Sequence, residues 1–542
     1  MIFIIYLELM MRYVYRLMVC FLCGPLIAGA QTPQVSLSEA FPEPSADGWD
    51  KLVLLPNGNT CYLHLDKNDG ISVALYNEKK ELVVSDKISG KQWDTRDMND
   101  TEIDGVYEIN GQVVIFLQQL IKYKPTLFRI VIDGSTGHWV QEDKLGELPT
   151  VLHRDALALE NLASHDCYVA KDPASGYYAV AFFAGGELSR KENAAERVQV
   201  LHFSPKHELV NQAYYNLADN AYTYFSFLDM TVNGPNSVYL CTVGFNTKRS
   251  GDAPQSQVLV SALKAGQQAF THQPLDYTAN FGGAYADLQW SQAANRLQLF
   301  LAAAPEPRSK PDERRLFMNY LDPVSCSLQL QHPLARELTA NNAQPQLMTM
   351  TADGSALLQF EQMQQFTQGK NVYNMMHTNL NDIRVCNISS KGDADTGYVI
   401  PKMQIANGAF GPLYLQRKNR GTWVFRNRVP ALNTTPYLSF DLVHTTHGDY
   451  TLFNDYIQHL DRGGTFENKK PLRYLVEANT VCYHYEKGKG EQLFLFGTPQ
   501  TDKAYYCMLG ASDRNTAGNR YATILITRTG TDKKAQIAWI SF

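Results

Sequence analysis

The sequence predicts an all-β protein on three observations: short runs rich in β-branched and aromatic residues, turn residues spaced between them, and few stretches with helical periodicity. The first runs set the pattern. Residues 52–55, 60–65, 71–76 and 81–88 are divided by Asn57-Gly58, by Asn68-Asp69-Gly70 and by a third turn, which reads as a four-stranded antiparallel meander.

The same turn-then-strand unit recurs along the chain. It appears as Asn110-Gly111 before 112–117, Asp172-Pro-Ala-Ser-Gly176 before 177–183, Asn233-Gly-Pro-Asn236 before 237–243, and Ala294-Asn295 before 296–301. It continues as Asp353-Gly354 before 355–360, a weaker Arg420-Gly421 before 422–425, and Gly488-Lys-Gly490 before 491–496. Starts at 60, 112, 177, 237, 296, 355, 422 and 491 are spaced by 52, 65, 60, 59, 59, 67 and 69 residues, a repeat signature. Repeated meanders bury their faces against one another as the blades of a β-propeller, here eight, or seven if the poorly formed unit at 422 is not a blade. The residues from 31 to 542 are then one propeller domain. A last hairpin, 521–527 and 535–542 around Gly530-Thr-Asp532, runs to the final residue, where a ring would be shut by pairing strands from the two ends. An outer-membrane barrel also tends to end on an aromatic residue, but its strands alternate apolar and polar, whereas Ala538-Trp539-Ile540 is apolar on both faces.

Within this pattern Thr351-Ala-Asp-Gly-Ser-Ala-Leu-Leu-Gln-Phe360 resembles the strand-turn-strand element of TolB-like propeller repeats, in which a DG turn precedes an apolar strand. The whole chain is similar to uncharacterised secreted β-propeller-like proteins of Gram-negative bacteria. That resemblance implies the fold and brings no activity with it.

Compartment is read from the first 30 residues, where Arg12 and Arg16 precede an apolar run over 17–27 and Ala28-Gly29-Ala30 offers a cleavage site before Gln31. The segment is interrupted by Glu8, Arg12, Arg16 and Gly24-Pro25, which suits a signal peptide better than a spanning helix. Neither Cys20, after Val19, nor Cys23, after Leu22, follows the small residue that a lipoprotein signal requires. The expectation is a secreted protein, periplasmic or extracellular, with no membrane span once the signal is removed. The formal charge of −5 becomes −6 without the two arginines and one glutamate of the signal, too mild for a polyanion-binding face, so no nucleic-acid partner is expected. Cysteines 61, 167, 241, 326, 386, 482 and 507 are scattered singly and read as small buried core residues rather than as metal or redox groups, leaving room for one or two bridges.

Several chemistries lack their signatures. The nearest approach to a nucleophile elbow, Gly510-Ala-Ser512-Asp-Arg514, lacks its second glycine and reads as a turn. His207-Glu208 does not continue into a zinc motif, and no glycine-rich phosphate loop joins a strand to a helix. Asp66-Lys-Asn-Asp-Gly70 and Asp133-Gly-Ser-Thr-Gly-His-Trp139 read as hairpin turns rather than a calcium loop and a sialidase repeat. No metal and no cofactor are expected.

The densest polar cluster is His444, His447 and Asp449 with Asp455 and His459, where imidazoles and carboxylates supply candidate ligand-binding or acid-base groups. Stretches 305–315 and 448–470 read as long surface loops, where binding residues tend to sit. Tyr222, Tyr224, Tyr285 and Trp423 are candidates to stack on sugar rings or to pack between blades. Paired carboxylates from distant strands leave no local spacing to read. Two functions follow: a binding or scaffold propeller for a protein or glycan partner, or a carbohydrate-active enzyme, hydrolase or lyase, with acidic residues at the channel. The sequence leaves its oligomeric state open.

Overall fold

The continuous apolar character of many strands has a direct structural cause. In 112–121, Val113 to Gln119 are all buried, because both faces of the sheet lie against neighbouring sheets. The computed structural model describes residues 33–542 except 46–47, 67, 97, 151–163, 186–195, 218–220, 247–254, 305–312, 352, 369–374, 409, 425–435, 457–458, 460–471, 473–477, 501 and 516–518. The segment expected to be a signal peptide, most of the 305–315 stretch and much of 456–470 thus lie outside the described residues.

The chain is an eight-bladed β-propeller. Blades 1 to 5 begin with the strands Gly48–Leu54, Thr101–Ile109, Asp166–Lys171, Tyr224–Asn233 and Gly283–Ser291, and each proceeds outward through three more antiparallel strands in chain order. Blades 6, 7 and 8 begin with Ala343–Met350, Phe440–Thr445 and Lys503–Arg514. From blade 7 through blades 8 and 1 to blade 6, each first strand packs beside the next around the channel. Blade 8 closes the ring: its outermost strand is Gln34–Leu37, paired antiparallel to Asp532–Ser541 from Gln34 opposite Ser541 to Leu37 opposite Ala538. The ring closure expected from the terminal hairpin is thus made by the start of the described chain.

The apolar core is divided into wedges between neighbouring blades. Leu63 and Val73 of blade 1 meet Val113 and Ile115 of blade 2, and Ala179 and Ala181 of blade 3 meet Val238 and Leu240 of blade 4. Cys61, Cys167, Cys241, Cys326, Cys386, Cys482 and Cys507 are free and buried, so no bridge joins them. No helix among the described residues is long and apolar enough to cross a membrane.

Three details differ from the sequence reading. The units at 422 and 491 do not start blades: Trp423–Val424 pairs with the first strand of blade 2, Lys489–Leu493 is the outermost strand of blade 7, and the eighth blade is the terminal hairpin together with 503–514 and 34–37. The stretch from 448 begins as a buried central strand, Gly448–Asp455, rather than a loop. Ser512 lies in the first strand of blade 8, at a bulge between Met508 and Asp513, rather than in a turn.

Candidate functional site

The hub of the ring is acidic. Every first strand except that of blade 6 carries an aspartate: Asp50, Asp104, Asp166, Asp229, Asp287, Asp441 and Asp513. Three of them staple one blade to the next. Asp229 Oδ2 accepts the Leu288 N–H at 2.7 Å, Asp287 Oδ2 accepts that of Met348 at 3.1 Å, and Asp513 Oδ2 accepts that of Leu54 at 2.7 Å. Burial, with the nearby Asp229 charge behind it, pushes the Asp287 carboxyl up to about 6. Burial likewise raises that of Asp513, opposed by the Lys51 charge.

The channel is filled by the chain itself. Between blades 6 and 7, residues 401–424 leave the ring and cross the channel as far as blade 2. Gln404–Asn407 pairs with the third strand of blade 6, a short helix Tyr414–Asn419 follows, and Trp423 pairs with Ile103 of blade 2. The turn out of the helix is close: Gly421 has φ +72°, and a Cβ there would meet Val106 at 3.1 Å, which is why glycine is suited to it.

Polar and charged residues of this plug lie against carboxylates of the hub and of blade 6. Gln416 Nε2 and Arg420 Nη2 donate to Asp229 at 3.0 and 2.8 Å. Lys418 Nζ donates to Asp441, whose other oxygen accepts the Ser512 and Tyr521 hydroxyls. Lys402 is fully buried against Glu361, and Ser439 also donates to that carboxylate. Asp229, Asp441 and Glu361 are therefore engaged by the protein's own donors.

Among the described residues, two cavities flank the helix. The larger, about 380 Å³, lies toward blades 2 to 5 and joins three kinds of surface. Glu102, Asp104 and Asp166 form an acidic wall, with carboxylate oxygens within 4.8 Å of one another. Tyr168, Phe227, Tyr285 and Trp423 supply rings; Tyr168 and Phe227 stack with centroids 3.8 Å apart, and Trp423 stacks on Trp49 at 5.7 Å. Arg417 is exposed on the plug side. The acidic wall is braced from behind by Gln118, whose buried amide donates to Asp166 at 3.0 Å and Glu102 at 3.3 Å. The smaller cavity, about 220 Å³, lies toward blades 6 to 1 and contains Lys51, Asp441 and Ser512.

The residues singled out in sequence fall into two separate groups. His444 and Asp449 face each other across the first hairpin of blade 7, His444 Nδ1 at 2.7 Å from Asp449 Oδ1, with the Tyr398 hydroxyl donating to the other oxygen. That hydrogen bond raises the His444 pKa against the opposing effect of burial. His447 is exposed in the adjoining turn, and its carbonyl is 2.8 Å from His484 Nε2. Asp455 and His459 are buried at the other end of the same strand, joined at 2.6 Å, while Asp455 also accepts the Met403 N–H at the root of the plug. Of the four aromatics considered, Tyr285 and Trp423 line the larger cavity. Tyr224 is buried beside Phe245, and Tyr222 donates to Gln257. The hub aspartates went unread, although an acid at the head of nearly every meander is a signal that aligning the repeats would have exposed.

No protein-family model and no curated protein matches the sequence. Among solved structures, the β-propeller domain of the trilobed protease from Pyrococcus furiosus is similar at 10% identity and TM-score 0.36, over 83% of this chain and 100% of that one. Prolyl oligopeptidase B from Galerina marginata is similar at 7% identity and TM-score 0.38, over 93% of this chain and 56% of that one. A GH43 endo-arabinanase from Bacillus licheniformis is similar at 9% identity and TM-score 0.24, over 65% and 99%. The chain spans little more than half the length of the prolyl peptidases it matches. At this level of likeness, nothing about chemistry passes from those proteins to this one.

Proposed function

We propose that the chain is a binding propeller of the periplasm or cell exterior that holds a glycan in the cavity beside its plug. The observation that carries this reading is the composition of that cavity: rings of Tyr168, Tyr285 and Trp423, carboxylates of Glu102, Asp104 and Asp166, and the exposed Arg417. Ring faces suit the C–H faces of a sugar, while carboxylates and a guanidinium suit its hydroxyls. The compartment rests on the basic, apolar and small-residue order of the first 30 residues.

A carbohydrate-active enzyme is the second reading, favoured by the same three carboxylates within 4.8 Å. Catalysis at the hub itself is the less favoured form of it. Asp229 and Asp441 are held by plug donors, and the carboxyls of raised pKa, Asp287 and Asp513, accept hydrogen bonds from neighbouring blades. Isothermal titration of the purified chain with an oligosaccharide panel, followed by chromatography of the incubated mixtures, tests both readings. Saturable binding with the saccharide recovered intact is expected. Cleaved product abolished by Asp166→Asn would replace the binder with the enzyme, and a panel without heat would sink the glycan altogether.

A further inference from the structure

The smaller cavity has no part in the glycan reading, yet it contains a buried amine. Lys51, on the first strand of blade 1, is 3% exposed and reaches the wall of the roughly 220 Å³ space between the plug helix and blades 6 to 8. Its Nζ donates to the Ser512 carbonyl, while Asp513 and Asp441 act on it through charge. Burial outweighs those two carboxylates and, with Lys418 and Arg514 adding repulsion, lowers the Lys51 pKa below that of an ordinary lysine. Desolvation beside other cations is how proteins make a lysine nucleophilic.

The surroundings suit a small polar guest. Leu347, Leu415 and Leu442 give an apolar wall, Asn419 is exposed at the rim, and Gln359 is fully buried with its Oε1 accepting no hydrogen bond. A hydroxyl of the guest would satisfy that oxygen.

We propose that Lys51 is a carbonyl-reactive lysine and that this cavity takes a small hydroxyaldehyde, which condenses with the amine to an imine. The neutral amine's nitrogen bonds to the aldehyde carbon, its two protons pass in turn to the carbonyl oxygen, first to give the carbinolamine hydroxyl and then to make it a leaving group, and that oxygen departs as water when the C=N bond forms. No oxidant or reductant is consumed.

Glyceraldehyde with cyanoborohydride, followed by peptide mass spectrometry, reads the site directly on the intact chain. At about pH 7, where an ordinary lysine of pKa ~10.4 is almost wholly protonated, Lys51 should be alkylated ~10-fold faster than the exposed Lys79 and Lys122. The preference should vanish in urea, and Lys51→Arg should leave only the exposed sites labelled. Because the mapping is done on the unaltered protein, a poorly folding variant does not blur the result. Lys51 left unmodified, or labelled no faster than Lys79 and Lys122, would overturn the proposal and reduce Lys51 to a tie between blades 1 and 8.

Discussion

The same ion-pair chemistry occurs at the hub and at the rim of the propeller in different surroundings. At the hub, Lys418 and Asp441 are 7% and 10% exposed, and Lys402 and Glu361 are 0% exposed. At the rim, Lys124 and Lys144 both reach Glu147 at the end of blade 2's outermost strand, with side chains 44%, 44% and 37% exposed. A rim pair trades water for a partner with little net gain. A hub pair has no water to return to, so each member depends on the other. The difference teaches where this protein depends on its charges: at the seam between plug and channel, where the lysines come from 401–424 and the acids from the ring.

The sharpest way to break that comparison is Asp441→Ala. The substitution removes the partner of Lys418 and the acceptor of the Ser512 and Tyr521 hydroxyls at once. A loss of ~3–5 kcal/mol is expected, read from urea denaturation. A loss within ~1 kcal/mol would mean that water reaches the plug seam and that hub and rim are alike.

The larger cavity lies between these extremes, with Arg417 exposed on the plug while Gln416 and Lys418 on the same helix are buried. Arg417→Ala should weaken binding of whichever saccharide the panel identifies by ~10-fold, the worth of a hydrogen bond to a charged donor. The urea midpoint should stay unchanged. A fall in stability without a fall in affinity would move Arg417 from the ligand to the seam. Titration calorimetry and denaturation on the same preparation separate the two.

How much of this was legible depends on sequence distance. Hairpins are local, and strands buried on both faces announce themselves as apolar runs, so the meanders and their period could be read from Thr60 to Phe360. The plug could not. Its partners are remote: Arg420 meets Asp229, Trp423 meets Ile103, and Leu413 donates to the Pro345 carbonyl. Its turn at Arg420-Gly421 therefore looked like a blade turn. The polar cluster around His444 failed to become one site for a geometric reason. Asp449 and Asp455 lie near opposite ends of a single strand, about 20 Å apart at ~3.4 Å per residue. Proximity in sequence is not proximity in space once a strand intervenes. The aspartates of the hub were legible in principle, since Asp229 and Asp287 occupy comparable mid-strand positions, but the period from Thr60 to Phe360 is carried by second strands, which do not hold them.

Titration separates hub from rim by direction. The Asp287 carboxyl is raised from 3.8 to about 6, so its protonated form is favoured by folding. The stability it contributes is fully present below about pH 3.8 and is lost as pH rises through about 6. Asp287→Asn keeps an oxygen for the Met348 N–H and cannot ionise. The variant should flatten the fall in urea midpoint between those two pH values and be no less stable than the parent at neutral pH. An unchanged slope would show that another buried group, rather than Asp287, titrates there.

Glu147 titrates the other way and should matter least. Hydrogen bonds from Lys124, and then from Lys144, hold its carboxyl down at about 2, below its ordinary 4.5. Its contribution is therefore present above pH 4.5 and is lost as pH falls through about 2. With its side chain 37% exposed, solvent screens most of that interaction. Glu147→Gln should cost ~0.5 kcal/mol or less at neutral pH, and added salt should shrink even that difference. A cost comparable to that of Asp441→Ala, persisting in high salt, would show that the outer strand of blade 2 is held by charge as firmly as the plug, and the distinction between hub and rim would fail.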